Sequence, residues 1–133
     1  MQQAAQRSTS RGHILLADDE PHIRRILQTV LESSGFEVDL RQDGTDALEA
    51  IDGDEHYDLI LLDIMMPGAT GLEILRKIRG MDARKTTPVM ILTAKGQDED
   101  REAAFSLGAD DFLTKPFSPK KLLARIHQLI DGD

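Results

Sequence analysis

Five short apolar runs alternate with five amphipathic segments along this chain, and that alternation constrains its fold more than any other feature. The runs are His13-Ile-Leu-Leu-Ala17, Phe36–Arg41, Leu59–Leu62, Val89–Leu92 and Asp111–Thr114. Each is too short for a useful helix and long enough for a strand. Between them apolar residues recur at helical spacing. Ile23, Ile26, Leu27, Val30 and Leu31 share one face, with Arg24, Arg25, Gln28 and Glu32 opposite. Ala47, Leu48 and Ile51 mark a second helix, and Leu72, Leu75 and Ile78 a third with Ile74 on its flank. A weaker fourth covers residues 97–107, and Leu122, Leu123, Ile126, Leu129 and Ile130 define the last. Pro21 stands where a helix start loses nothing from a missing N–H, and Gly35, Gly53 and Gly108 stand where helices stop.

Strands alternating with helices predict an α/β domain, a doubly wound parallel sheet with helices on both faces. The first, third and fourth runs are the most apolar, as strands covered on both sides must be. The second alternates with period two and the fifth is short, so both belong at edges. The predicted order is 2-1-3-4-5 over residues 13–131. Residues 1–12, polar and aperiodic, predict a flexible tail.

Composition narrows the chemistry. A chain of 133 residues suits one domain, and 40% hydrophobic with 30% charged residues suits a soluble core. Sixteen basic against twenty-four acidic residues leave a net charge of −8, which repels nucleic-acid phosphates. No apolar run could span a bilayer, and the N-terminal stretch lacks a signal peptide's apolar segment. A cytoplasmic protein without direct nucleic-acid or membrane binding is expected. With no cysteine, thiol catalysis, thiolate zinc sites and disulfides are excluded. The four histidines show no ligand spacing and read as surface or edge residues.

Ligands of open α/β sheets bind at the carboxyl ends of the strands, where the strand order reverses. Here the first strand runs into Asp18-Asp19-Glu20, the third ends in Asp63, the fourth in Thr93, and the fifth runs into Lys115. Individually these residues could be caps, turn residues or solvated charges. Together they crowd carboxylates, which repel unless a cation lies among them. Asp18, Asp19 and Asp63 carry −3 against the +1 of Lys115, so a divalent ion balances the rest. A hard, oxygen-rich site suits Mg²⁺. A carboxylate can form an aspartyl phosphate, and a hydroxyl, an ammonium and Mg²⁺ suit the phosphoryl oxygens. The predicted chemistry is metal-assisted phosphoryl acceptance by a carboxylate.

At these residues the chain resembles the receiver domain of bacterial two-component response regulators, a flavodoxin-like fold. The resemblance covers about residues 13–131. It rests on Asp18-Asp19-Glu20, Leu62-Asp63-Ile-Met-Met-Pro67-Gly68 with Gly71, Thr93-Ala94, Gly108-Ala109-Asp110-Asp111 and Lys115-Pro116-Phe117. It implies that Asp63 is the phosphoacceptor for a sensor histidine kinase, and that the domain signals rather than turning over a substrate. It implies Mg²⁺ bound by Asp19, Asp63 and the Met65 backbone carbonyl, with Asp18 acting through a water. Lys115 would pair with the phosphoryl group, and its bond to Pro116 is expected to be cis. Thr93 and Phe112 would form the switch, the hydroxyl closing on the phosphoryl group and the ring turning inward. Met65 and Lys95 flank the path of attacking water, so slow self-dephosphorylation is expected.

The usual signalling surface of such domains is formed by the fourth helix, fifth strand and last helix. The DNA-binding branch of the family resembles this chain in Arg101, Asp110, Asp111 and Arg125, which there pair across a dimer. Lys121 departs from that pattern by placing a cation where an acid usually faces the arginine, so a homodimer through this face is expected to be weak. The downstream effector is not named by these residues. Three rivals remain. A Mg²⁺-dependent aspartyl-phosphate phosphohydrolase needs an acid where Met65 stands. A flavin carrier needs a hydroxyl-rich phosphate loop where Asp18-Asp19-Glu20 stands. A docking receiver that never takes a phosphoryl group would not need the complete acidic set and Lys115.

Overall fold

The computed structural model describes residues 11–94 and 98–132. In chain order the elements are β1 (His13–Ala17), α1 (Pro21–Ser33), β2 (Glu37–Arg41), α2 (Gly44–Asp52), β3 (Leu59–Asp63), α3 (Gly71–Arg79), β4 (Val89–Thr93), α4 (Asp98–Ser106), β5 (Asp111–Thr114) and α5 (Pro119–Asp131). All strand pairs are parallel, in the order β2-β1-β3-β4-β5. The predicted sheet is therefore observed. The predicted tail falls mostly on residues 1–10, which lie outside the described residues, as do Lys95 and the first residue of the predicted fourth helix, Gln97.

Local chemistry sets the helix ends. Pro21 opens α1, and Gly35 follows its end with a φ of +96°, a left-handed backbone that a side chain would strain. The Asp43 carboxylate accepts from Asp46 N–H at the start of α2. Thr70 and Glu73 cap α3 reciprocally, each side chain accepting from the other's backbone N–H. The Ser118 hydroxyl accepts from Lys121 N–H at the start of α5.

Strand alternation divides the apolar residues between two cores. Leu15, Ala17, Ile60, Leu62, Ile91 and Phe112 face α2, α3 and α4. Ile14, Leu16, Leu59, Leu61, Met90, Leu92 and Leu113 face α1 and α5. Every residue of β3 and β4 is buried, whereas β2 has no buried residue, as its edge position requires. One expectation changes. Ile74, predicted on the flank of α3, is fully buried with Leu75 and Ile78, and Leu72 is only partly covered. Ile74, Leu75 and Ile78, at i, i+1 and i+4, thus make the buried stripe of α3. Gly71 lies so close to the strand end that a Cβ there would sit 2.3 Å from the Asp63 carbonyl oxygen.

Candidate functional site

The strand order reverses between β1 and β3, and the carboxyl ends of β1, β3, β4 and β5 meet on one rim. Asp18 and Asp63 leave neighbouring strands there, and both are buried. Lys115 arrives from the end of β5, its bond to Pro116 cis as the resemblance implies. Its ammonium donates to Asp18 Oδ2 at 2.6 Å, to Asp63 Oδ2 at 3.0 Å and to Glu20 Oε1 at 3.2 Å. The Lys115 and Asp63 side chains are each 7% exposed and that of Asp18 is 1%, whereas Glu20 is 56% exposed. Asp18 is held further by Glu20 N–H, which donates to its Oδ1 at 2.9 Å. Met65 N–H donates to Asp63 Oδ1 at 3.4 Å, a long bond that leaves this oxygen weakly engaged.

Electrostatics follow from burial and neighbours. Burial pushes the Asp63 carboxyl above its usual range; the Lys115 ammonium pulls the other way, and the Asp18 charge adds to the upward push. Burial disfavours the charged form of Lys115, but its bonds to Asp18 and Asp63 outweigh that and hold it above the usual lysine range. Lys115 is therefore a fixed cation among acids.

Asp18, Glu20 and Asp63 each offer an oxygen within 4.8 Å of one another. A set of hard carboxylate oxygens able to close on one point fits Mg²⁺ and excludes soft metals. The acids outnumber the single ammonium among them, so the group retains negative charge for a cation. A cavity beside this cluster is lined by Asp19, Glu20, Asp63, Met65, Thr93 and Ala94. The predicted residues are thus brought to one place. Asp19 faces the cavity from an exposed position rather than joining the tight carboxylate group, and Met65 stands at its mouth, 60% exposed. Thr93 is buried at the end of β4. Phe112, also buried, pairs in register with Ile91, so Thr93 and Phe112 occupy the same face of adjacent strands. The Arg101 guanidinium lies 5.9 Å from the Phe112 ring centre and 5.5 Å from that of the exposed Phe105. Glu20 was visible in the sequence as part of the acidic run, but its bond to a lysine 95 residues away was not.

A doubly wound parallel sheet with an acidic, lysine-bridged site at its switch point defines the receiver class of flavodoxin-like domains. Residues 14–127 match the response regulator receiver domain family, and the chain belongs to it. It is 45% identical over 116 residues to the Bacillus subtilis uncharacterized transcriptional regulatory protein YkoG, covering 87% of this chain and 50% of that protein. It is 43% identical over 122 residues to the transcriptional regulatory protein ResD of the same organism, covering 92% and 49%. The chain thus spans about half the length of the curated relatives it matches. Among solved structures, the receiver domain of the Francisella response regulator 1452 superposes with a TM-score of 0.83 at 35% identity, covering 91% of this chain and 98% of that one. The receiver domain of the Pseudomonas aeruginosa sensor histidine kinase PA1611, with magnesium coordinated in its active-site cleft, gives 0.81 at 34% identity, covering 92% and 98%.

Proposed function

We propose that Asp63 accepts a phosphoryl group from a sensor histidine kinase, and that the domain passes this state to an effector through its α4-β5-α5 face. The observation that carries this reading is the pairing of a nearly buried carboxylate with a nearly buried ammonium, 3.0 Å apart, beside an open acidic cavity. An Asp63 oxygen forms a bond to phosphorus as the bond from phosphorus to the kinase histidine nitrogen breaks. That nitrogen keeps the electron pair. Lys115 neutralises charge on the transferred oxygens, and the Thr93 hydroxyl donates to one of them. Mg²⁺ would be held by Asp19, Asp63 and the Met65 backbone carbonyl, with Asp18 acting through a water, and would supply further charge neutralisation. Aspartyl-phosphate hydrolysis as the main activity is disfavoured, because Met65 stands where that chemistry needs an acid.

Thr93 and Phe112 form the switch in this reading. Their common face on neighbouring strands lets movement of the hydroxyl open or close space for the ring, and Arg101 ties that ring to α4. The relatives described as transcriptional regulators support a transcriptional output for the regulator this domain serves. Among the described residues no helix is long and apolar enough to cross a membrane, which agrees with action in the cytoplasm. Mass spectrometry after incubation with acetyl phosphate and Mg²⁺ tests the central step. One added phosphoryl group is expected on Asp63, absent in Asp63→Asn and absent without the metal; modification elsewhere would overturn the reading.

A further inference from the structure

We propose that Glu20 is a positioning residue that latches Lys115 away from the incoming phosphoryl group, so that its release is part of the phosphorylation step. This inference rests on Asp63 being the acceptor. An ammonium has three protons to donate. All three are matched here by carboxylates, those of Asp18, Asp63 and Glu20. For Lys115 to bond a phosphoryl oxygen while keeping its bonds to Asp18 and to the attacking Asp63, a donor must be freed.

The three bonds are unequal. The bond to Asp18 is the shortest, at 2.6 Å, and Asp18 is 1% exposed. Breaking it would leave a buried carboxylate without its cation, which is costly. The bond to Asp63 belongs to the reacting group itself. The bond to Glu20 is the longest, at 3.2 Å, and the Glu20 side chain is mostly in water. Water can replace Lys115 around Glu20 at little cost. Glu20 is therefore the partner that lets go. Until it does, it holds both the ammonium and a competing negative charge beside the cavity where the phosphoryl donor enters.

The test compares wild type with Glu20→Ala, Glu20→Gln and Glu20→Asp, measuring the rate of Asp63 phosphorylation by phosphoramidate at saturating Mg²⁺ and the Mg²⁺ midpoint. Glu20→Asp separates the latch from simple charge repulsion, because it keeps the charge but shortens the side chain by one carbon. Loss of one exposed ion pair corresponds to a rate increase of up to about fivefold. That increase is expected in Glu20→Ala and Glu20→Asp, with Glu20→Gln between them and wild type. A Glu20→Asp rate equal to wild type beside a fast Glu20→Ala would overturn the latch in favour of charge repulsion. Slower phosphorylation with weakened Mg²⁺ binding would overturn it in favour of Glu20 as a metal ligand. Equal rates in all four proteins would also overturn it. Failure of wild type to take up a phosphoryl group on Asp63, with every variant equally inert, would instead remove the acceptor reading on which the latch stands.

Discussion

Arg125 donates from Nη1 to Asp111 Oδ1 at 2.6 Å within a single chain. Asp110 is engaged in the same way, its Oδ2 accepting from Arg79 Nη2 at 2.9 Å and from Val89 N–H at 2.8 Å. Both acids expected to pair across a dimer thus have partners inside the fold, and Lys121 is exposed on α5. The chain is expected to sediment as a monomer at micromolar concentration. Lys121→Glu is expected to tighten association of the beryllofluoride-loaded protein by about two- to fivefold for each ion pair gained with Arg101. Analytical ultracentrifugation measures both, and a wild-type dimer without phosphoryl analogue would contradict the first.

The raised Asp63 carboxyl fixes the sign of a pH effect. Its folded-state proton affinity exceeds that of the unfolded chain, so Asp63 favours folding at acid pH and loses that contribution as pH rises through its folded value. At neutral pH the buried charge opposes folding. Asp63→Asn is therefore expected to be more stable than wild type at pH 7, with the advantage shrinking as pH falls toward the ordinary carboxylate value. Lys115 is raised as well, so its contribution has the same sign, but at far higher pH. Its stabilisation is complete below the ordinary lysine value and fades only when pH rises beyond it, so it is constant across this window. Denaturant melts of both proteins between pH 4 and pH 7 provide the check.

Mg²⁺ is expected to stabilise the folded chain, by about 2.7 kcal/mol at a concentration 100 times its dissociation constant. Asp19 lines the cavity from an exposed position, so Asp19→Asn removes a proposed ligand without disturbing the core. The variant should keep the wild-type melting temperature in chelator and lose most of the gain on adding Mg²⁺. An undiminished gain would remove Asp19 from the ligand set.

Gly71→Ala tests how strongly the start of α3 fixes the acceptor. The new Cβ would meet the Asp63 carbonyl oxygen at 2.3 Å and its carbon at 2.9 Å, both backbone atoms with little room to yield. Overpacking of this kind costs about 1–3 kcal/mol. Phosphorylation should slow as well, because the strand end that carries the Asp63 side chain must shift. A folded variant with wild-type stability and rate would show the junction to be compliant.

Arg84 supports the opposite end of the sheet. It is buried, donates to the Ile51 and Gly53 carbonyls at 2.8 and 3.0 Å, and lies 5.0 Å from the Tyr57 ring centre. It thus supplies donors that the end of α2 lacks. Arg84→Ala is expected to destabilise the fold by about 1–3 kcal/mol, read by urea melts, while leaving the phosphorylation rate near wild type.

Periodicity carried most of the architecture. Burial on two faces produces continuous apolar runs in β1, β3 and β4, and burial on one produces the alternation of β2, so the division into central and edge strands was legible from composition along each run, and the observed order agrees with it. That Asp18, Asp63, Thr93 and Lys115 would meet was legible because strand ends in a parallel sheet share one rim. The choice of Ile74 over Leu72 for the core was not legible, since both fit a helical stripe and packing against the sheet decides between them.

Covalent order along the chain specifies propensity, period and turn chemistry, and these alone select five β-α units with acids at their ends. Which acid bonds which cation depends on distances between residues such as Asp18 and Lys115, 97 positions apart in sequence and 2.6 Å apart in space. Charge interactions weaken with separation and strengthen with burial, and neither quantity exists until the strands have packed. That is why the role of Glu20, the inward pairing of Asp111 with Arg125 and the buried place of Arg84 emerged only from the folded chain.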